Sequence, residues 1–393
     1  MSSKVHELLK RVVIGSSFLL LVVGNLQPLS AISAEYAEGF SIEERSGVIL
    51  LNVHPPESEH YNSITYVLVE RDKFQNINED QLRERFSIEP KESELHIIRT
   101  PIKQLIPLST TFLPPLLWLG LEAVLSGVDN VDYIYSQKLR DIINKRNIPQ
   151  VGNGPSLDME QIVQLQPAVV MANITQGEWN VVPKLRDASI PVVLNGDYLE
   201  TTPLGRAEWI KFIGLLCGKG KEAESYFNAI AERYTGLQQM VQTELSGNTQ
   251  RPKVVMNRPM NGRWVVPGGE GYMAQFIEDA GGHYLWSSDS HSRSLVLDAE
   301  VVFIKARYAD VWLHQYESES LKELFQADPR LRRLNAFQTQ QVINNDARTN
   351  NAGSNDFYES GPYQPDLILS DLIRLFHPSM LPEHSLHYYR FLE

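Results

Sequence analysis

Cysteine is almost missing from this chain: Cys217 is the only one among 393 residues. A single thiol makes no intramolecular disulfide, no Cys-X-X-Cys redox pair and no thiolate metal cage. Positive charge is also scarce. Thirty-six Lys and Arg stand against 48 Asp and Glu, a formal charge of −12 with no basic stripe to follow a phosphate backbone. That excludes nucleic acid as a partner. Reactive machinery is missing too. There is no GxSxG elbow, no HExxH, no Walker glycine loop and no CxxC. The ten histidines are scattered, and the nearest set, His283, His291 and His314, fits no metal-ligand spacing. No catalytic residue, cofactor site or metal ligand is assigned, and the chain reads as a non-enzyme.

What is present is the composition of a globular protein, 42% hydrophobic and 21% charged, with length for two to three domains. The first 34 residues stand apart. Lys4, Lys10 and Arg11 form a basic leader, and Val12 to Val23 a short apolar stretch. That stretch is below the roughly 20 residues of a spanning helix. Small residues follow at Ala31 and Ala34, the layout of a secretory signal peptide over residues 1–34. An amino-terminal membrane anchor is the alternative. No cysteine near this region offers a lipid-attachment thiol, so the periplasm is the expected location.

Beyond the leader, residues 47–54 and 63–70 alternate as two strands of a hairpin, and residues 72–100 read as a charged linker with short structured pieces. Residues 35–100 are therefore an amino-terminal extension. From Ile102 the texture becomes strand and helix in turn. IKQLIPL, AVLSGVD, VVMAN and PVVLN read as four strands, with a helix around Val181 to Asp187. This spacing implies parallel pairing in a doubly wound α/β lobe over residues 101–202.

A helical tract fills 203–248. Thr202 and Pro203 cap a first helix running toward Gly218. The second, about 221–245, repeats Ala223, Phe227, Ile230, Tyr234, Leu237 and Val241 at helical spacing. At 1.5 Å per residue it extends about 37 Å. Residues 249–393 then resume the alternation, with KVVMN, RWVVP, ADVWLH and QVINND as strands, a helix over 272–280 and another over 365–376. One echo links the halves. Leu157-Asp158-Met159-Glu160 leads to PAVVMA, and Leu297-Asp298-Ala299-Glu300 leads to ADVWLH. In each, the aspartate caps a helix and the glutamate complements its dipole. The expected architecture is two Rossmann-like lobes joined by one long helix, with a ligand cleft between them.

The chain resembles the periplasmic ferric-siderophore and cobalamin binding proteins of ABC importers. The resemblance covers about residues 100–393 and is carried by IKQLIPLSTT, VGNGPSLDMEQIVQLQPAVVMA, EAESYFNAIAERY, PGGEGYMAQFIEDAGGHYLW, LFQADPRLRRLNAFQTQQVI and DLILSDLIRLFHPSM. The leading hairpin and the closing PEHSLHYYRFL depart from it. The resemblance implies a monomeric receptor that captures a ferric chelate or cobalamin and delivers it to a permease. It also implies that Glu178 and Glu270 are lobe-tip carboxylates meeting permease arginines.

Ligands in open α/β sheets sit beyond the carboxyl ends of the strands. In the first lobe that places Ser109, Thr110, Thr111, Tyr133, Tyr135, Asn153 and Trp179 at the cleft. In the second it places Arg258 and Trp264, and the polar segment 344–361 with Arg348, Asn350, Asn355 and Tyr358. Amides and rings of this kind hydrogen-bond and cover a large polar ligand, and Arg348 suits a carboxylate or hydroxamate oxygen. Three other functions fit the same scaffold: a receptor for a free transition-metal ion, a scavenger or sensor without a permease, and an enzyme.

Overall fold

The computed structural model describes residues 32–45, 47–55, 63–71, 78, 80–81, 84, 94–175, 179–247, 251–315 and 318–393. Residues 1–31 of the leader therefore lie outside the described residues, as does Glu178. Residues Ile32–Glu393 form one compact unit.

The extension is a four-stranded sheet in the order β1-β2-β3-β4. It comprises β1 (Phe40–Arg45), β2 (Val48–Val53), β3 (Ile64–Glu70) and β4 (Glu94–Thr100). The hairpin expected from the sequence is β2 and β3, antiparallel from Ile49↔Leu68 to Val53↔Ile64. β4 corrects the linker reading of residues 72–100, because it pairs parallel with β3 along its whole length. Leu95 joins a small cluster with Val67 and Val69, while Ile98 enters the main core. Apolar residues on both faces erase the alternation that marks a half-buried strand. Nor is the sheet an appendage. The Phe40 ring lies 4.6 Å from that of Trp209, and the Tyr66 hydroxyl accepts the Leu194 N–H at 2.9 Å.

The first lobe is a parallel sheet of β5 (Leu105–Pro107), β6 (Val169–Asn173) and β7 (Val192–Asn195). Around it stand α1 (Leu113–Trp118), α2 (Gln137–Arg146), α3 (Met159–Leu165) and α4 (Val182–Asp187). The AVLSGVD strand is a correction: only single bridges form, Leu105 with Leu125 and Val128 with Gln150. Gly127 leaves room between them, since a Cβ there would come within 3.3 Å of Ile106 and Val151.

Next come α5 (Pro203–Leu216), capped by Thr202, and α6 (Gly220–Leu245). They pack together, and a Cβ on Gly214 would stand only 2.5 Å from that of Ala223, so glycine permits the close approach. The predicted stripe of α6 is buried at Ala223, Phe227, Ile230, Tyr234 and Val241, with Leu237 partly covered. Burying each large side chain contributes about 1.5–3 kcal/mol. Near its start α6 stacks Tyr226 on Trp118 of the first lobe, centroids 5.1 Å apart. Further along, the Tyr234 hydroxyl donates to Asp279 at 2.5 Å and Arg233 donates to Asp366 at 2.6 Å, both in the second lobe. One helix thus spans two lobes.

The second lobe's main sheet has the order β11-β8-β13-β14-β15. It is built from β8 (Lys253–Met256), β11 (His283–Tyr284), β13 (Val311–Leu313), β14 (Val342–Asn344) and the antiparallel edge β15 (Arg390–Phe391). A separate antiparallel sheet holds β9 (Pro259–Met260), β10 (Arg263–Val266) and β12 (Leu295–Asp298). Its helices are α7 (Tyr272–Asp279), α8 (Ala299–Ala306), α9 (Leu321–Ala327), α10 (Asn335–Gln338), α11 (Asp356–Glu359) and α12 (Pro365–Phe376). Both echoed aspartates cap helices: Asp158 accepts the Gln161 N–H at 2.9 Å and Asp298 that of Glu300 at 2.8 Å.

Candidate functional site

The ends of β5, β6 and β7 converge on one mouth. Ser109 caps the turn after β5, where its hydroxyl pairs with that of Thr111 at 2.9 Å and Thr110 opens the turn. The Asn153 side chain donates to Leu108 O at 2.7 Å and accepts the Gly154 N–H, so it ties its loop to the end of β5. Gly154 has φ +52°, and its bare α-carbon seats the indole of Trp179. The Thr175 hydroxyl holds the Trp179 carbonyl at 2.8 Å, leaving the side chain 56% exposed. Tyr198 follows β7, is also exposed, and donates its hydroxyl to Ile174 O.

Across this mouth lies a cavity of about 650 Å³ shared by the two lobes. Thr175, Trp179 and Tyr198 line it from the first lobe, and Tyr272, Ser292 and Arg293 from the second. Arg293 is exposed and makes no ion pair with any described residue. Two exposed aromatic rings and a guanidinium without an ion pair fit a large ligand with π-surface and anionic groups, while the Tyr272 ring is already covered by Arg206. Of the expected residues only Trp179 lines this cavity. Tyr198, Tyr272 and Arg293 were missed.

A second cavity, about 570 Å³, lies where segment 348–360 meets residues 132–136. Tyr135, Arg348 and Asn350, all expected, line it with Trp118, Glu359 and His387. Here the lobes are fastened. The Glu359 carboxylate accepts the Tyr135 N–H at 2.5 Å and the Ser136 N–H at 3.1 Å. Asn350 donates to Ile134 O at 3.1 Å, and Ser354 donates to Asp132 O. Burial raises the Glu359 carboxyl to about 7, against the pull of the two N–H groups. Arg348 donates to the buried Asp356 at 2.6 Å and lies 5.3 Å over the Tyr135 ring, so its charge is already met within the fold.

Other expected residues fall elsewhere. Trp264 is a correction: it is fully buried, its indole donates to Met256 O at 2.9 Å, and it packs on Trp312. Arg258 is another, because it lines a separate cavity of about 190 Å³ beside Asp328 and donates to Ser318. Asn257 has φ +61°, and the chain after it runs through Arg258 into the β9–β10 hairpin, which holds Trp264. Asn355 caps α11, accepting the Phe357 N–H at 2.9 Å. Tyr133, in the turn before α2, and Tyr358, on α11, are both exposed and line neither cavity.

Glu270 is exposed at the turn before α7. The turn is stiff because its glycines abut other backbone: a Cβ on Gly268 would sit 2.1 Å from His291 O, and one on Gly269 2.3 Å from Asp289 O. His314 is structural. Burial lowers its pKa to about 3, and its ring meets the Tyr389 hydroxyl at 2.9 Å. Among the described residues no three His, Cys, Asp or Glu side chains form a metal-holding group, and no helix is long and apolar enough to cross a membrane.

Two α/β lobes, one connecting helix and cavities shared between the lobes define a bilobal solute-binding protein. The profile of the family described as Periplasmic binding protein matches residues 109–349, more than half of the chain. The chain belongs to that family. It is 21% identical over 346 residues to an uncharacterized lipoprotein of Methanocaldococcus jannaschii, covering 86% of this chain and 80% of the relative. Its fold is similar to that of a periplasmic heme binding protein from Pseudomonas aeruginosa: TM-score 0.53, 18% identity, 71% of this chain and 94% of the other. A possible iron-binding (periplasmic solute-binding) protein from Staphylococcus epidermidis is similar too, with TM-score 0.54, 15% identity and 70% and 99% coverage.

Proposed function

We propose that this protein is the exported receptor of an ABC importer for a bulky ferric chelate, which it binds at the mouth formed by Trp179, Tyr198, Tyr272 and Arg293 and delivers to a permease. The observation that carries this reading is the pairing of Arg293, which makes no ion pair with a described residue, with the exposed rings of Trp179 and Tyr198 around one inter-lobe cavity of about 650 Å³. The family and the iron- and heme-binding names of similar folds support it. A chelate presents planar or aromatic surface to the rings and carboxylate or hydroxamate oxygens to Arg293. Glu270, and Glu178 in the first lobe, supply one negative charge per lobe for permease arginines, a two-point footprint that steers docking.

The test is a tryptophan-fluorescence titration of the exported protein against ferric siderophores, ferric citrate, heme and cobalamins. Saturable quenching by an iron chelate, lost in Trp179→Phe and weakened in Arg293→Ala, is expected. Micromolar zinc binding with no response to any chelate overturns the proposal, and saturation by cobalamin alone reassigns the cargo.

A further inference from the structure

Ahead of the first strand, the chain runs from Ile32 to Gly39 as a strap held by buried side chains. Glu208, fully buried on α5, accepts the N–H of Tyr36 at 2.7 Å and of Ala37 at 2.9 Å. Its two oxygens each stand 3.0 Å from the Glu35 nitrogen. Glu200 accepts the N–H of Glu38 at 3.0 Å and of Gly39 at 2.9 Å, with the Trp209 indole at 2.8 Å. Lys211 closes the arrangement. Its buried ammonium lies 2.7 Å from Glu208, donates to Ser33 O at 2.8 Å and sits 4.6 Å from the Phe227 ring centre. Ile32 and Ala34 pack against the main core. Ile32 fills the space beside Gly220, where a Cβ would lie 2.7 Å from its Cδ1.

Charge balance decides where such a chain tolerates a cut. With Glu35 joined to Ala34, its nitrogen is a neutral amide, and Glu208 and Lys211 neutralise each other. A break after Ala34 would turn that nitrogen into an ammonium and remove the Ser33 carbonyl. Two cations would then share one buried carboxylate, and Lys211 would lose an acceptor. Ser33 and Glu35 are exposed while Lys211 and Glu208 are buried, so the cost falls on Lys211, which loses its second acceptor and shares its carboxylate.

We infer that the signal segment is cut no later than Ala31, so that Ile32–Gly39 remains in the exported protein as a structural strap. This moves the boundary from residue 34, where the small residues alone allow it. At the latest site a signal peptidase hydrolyses the Ala31–Ile32 bond: one water adds, leaving a carboxylate on Ala31 and an amino group on Ile32. The inference rests on export, and the test separates the two.

The full chain is expressed in a bacterium with its secretory machinery, and the envelope fraction is analysed by intact mass and amino-terminal sequencing. A first residue after Val23 and no later than Ile32 is expected. A first residue at Ser33 or beyond, or an uncut leader, overturns the inference. If no protein reaches the envelope, export itself fails, and a second measurement decides the strap. Chains starting at Ile32 and at Glu35 are then released from a cleavable amino-terminal fusion, so that each begins with its own ammonium. The shorter one is expected to melt several degrees lower or to fail to accumulate, and equal midpoints overturn the strap.

Discussion

The indole of Trp179 occupies the space that a side chain on residue 154 would need: a Cβ there would fall 2.4 Å from the Trp179 ring. Gly154→Ala therefore expels the ring from its seat. Together with φ +52°, the substitution costs about 1–2 kcal/mol of stability. Affinity is expected to fall about tenfold, roughly one good contact. Calorimetry and the fluorescence titration measure the two losses. Unchanged affinity would separate Trp179 from the cargo.

Arg293 and Arg348 divide two roles. Arg293→Ala is expected to weaken chelate binding about tenfold, one charge-assisted hydrogen bond, and to leave the melting temperature unchanged. Arg348→Ala strands the buried Asp356. Because Arg348 is itself partly exposed and screened, the cost is about 1–2 kcal/mol. The reverse pattern in paired titrations and melts would move the cargo to the smaller cavity.

Glu359 predicts a pH dependence. Its folded pKa of about 7 exceeds the ordinary 4.5, so the folded protein holds a proton that the unfolded chain has released. The stability tied to that proton is complete below pH 4.5 and drains away as pH rises through 7. The loss amounts to about 3 kcal/mol. Urea unfolding at pH 5 and pH 8 is expected to show this drop in the parent and to lack most of it in Glu359→Gln. Parallel drops in the two proteins would refute the assignment.

Glu270→Ala is expected to leave the dissociation constant unchanged and to reduce uptake in cells carrying the cognate permease, more so in combination with Glu178→Ala. Uptake at the parental rate would favour a scavenger over a transport receptor.

Much of the scaffold could be read from residues. Helix caps at Thr202, Asp158 and Asp298, and the stripe of α6, obey local rules that burial reinforces. The failures share a cause, which is pairing decided at a distance. β4 has apolar side chains on both faces because it lies between two clusters, and AVLSGVD meets its neighbours only at single residues. One failure was avoidable. Asn261-Gly262, with φ of 52° and 76°, is a two-residue hairpin turn between β9 and β10, and that dipeptide is a strong hairpin signal. Recognising it would have withdrawn Arg258 and Trp264 from the cleft. Arg293 carried no such flag, because DSHSRS reads as an ordinary loop until α7 and β12 bring it opposite Trp179.

The α6 column is gripped by Trp118 near one end and by Asp279 further on. A shaft held at two stations resists bending and passes on twist. Any relative movement of the lobes is therefore limited to what such a shaft allows, a small twist about its length in place of a wide hinge.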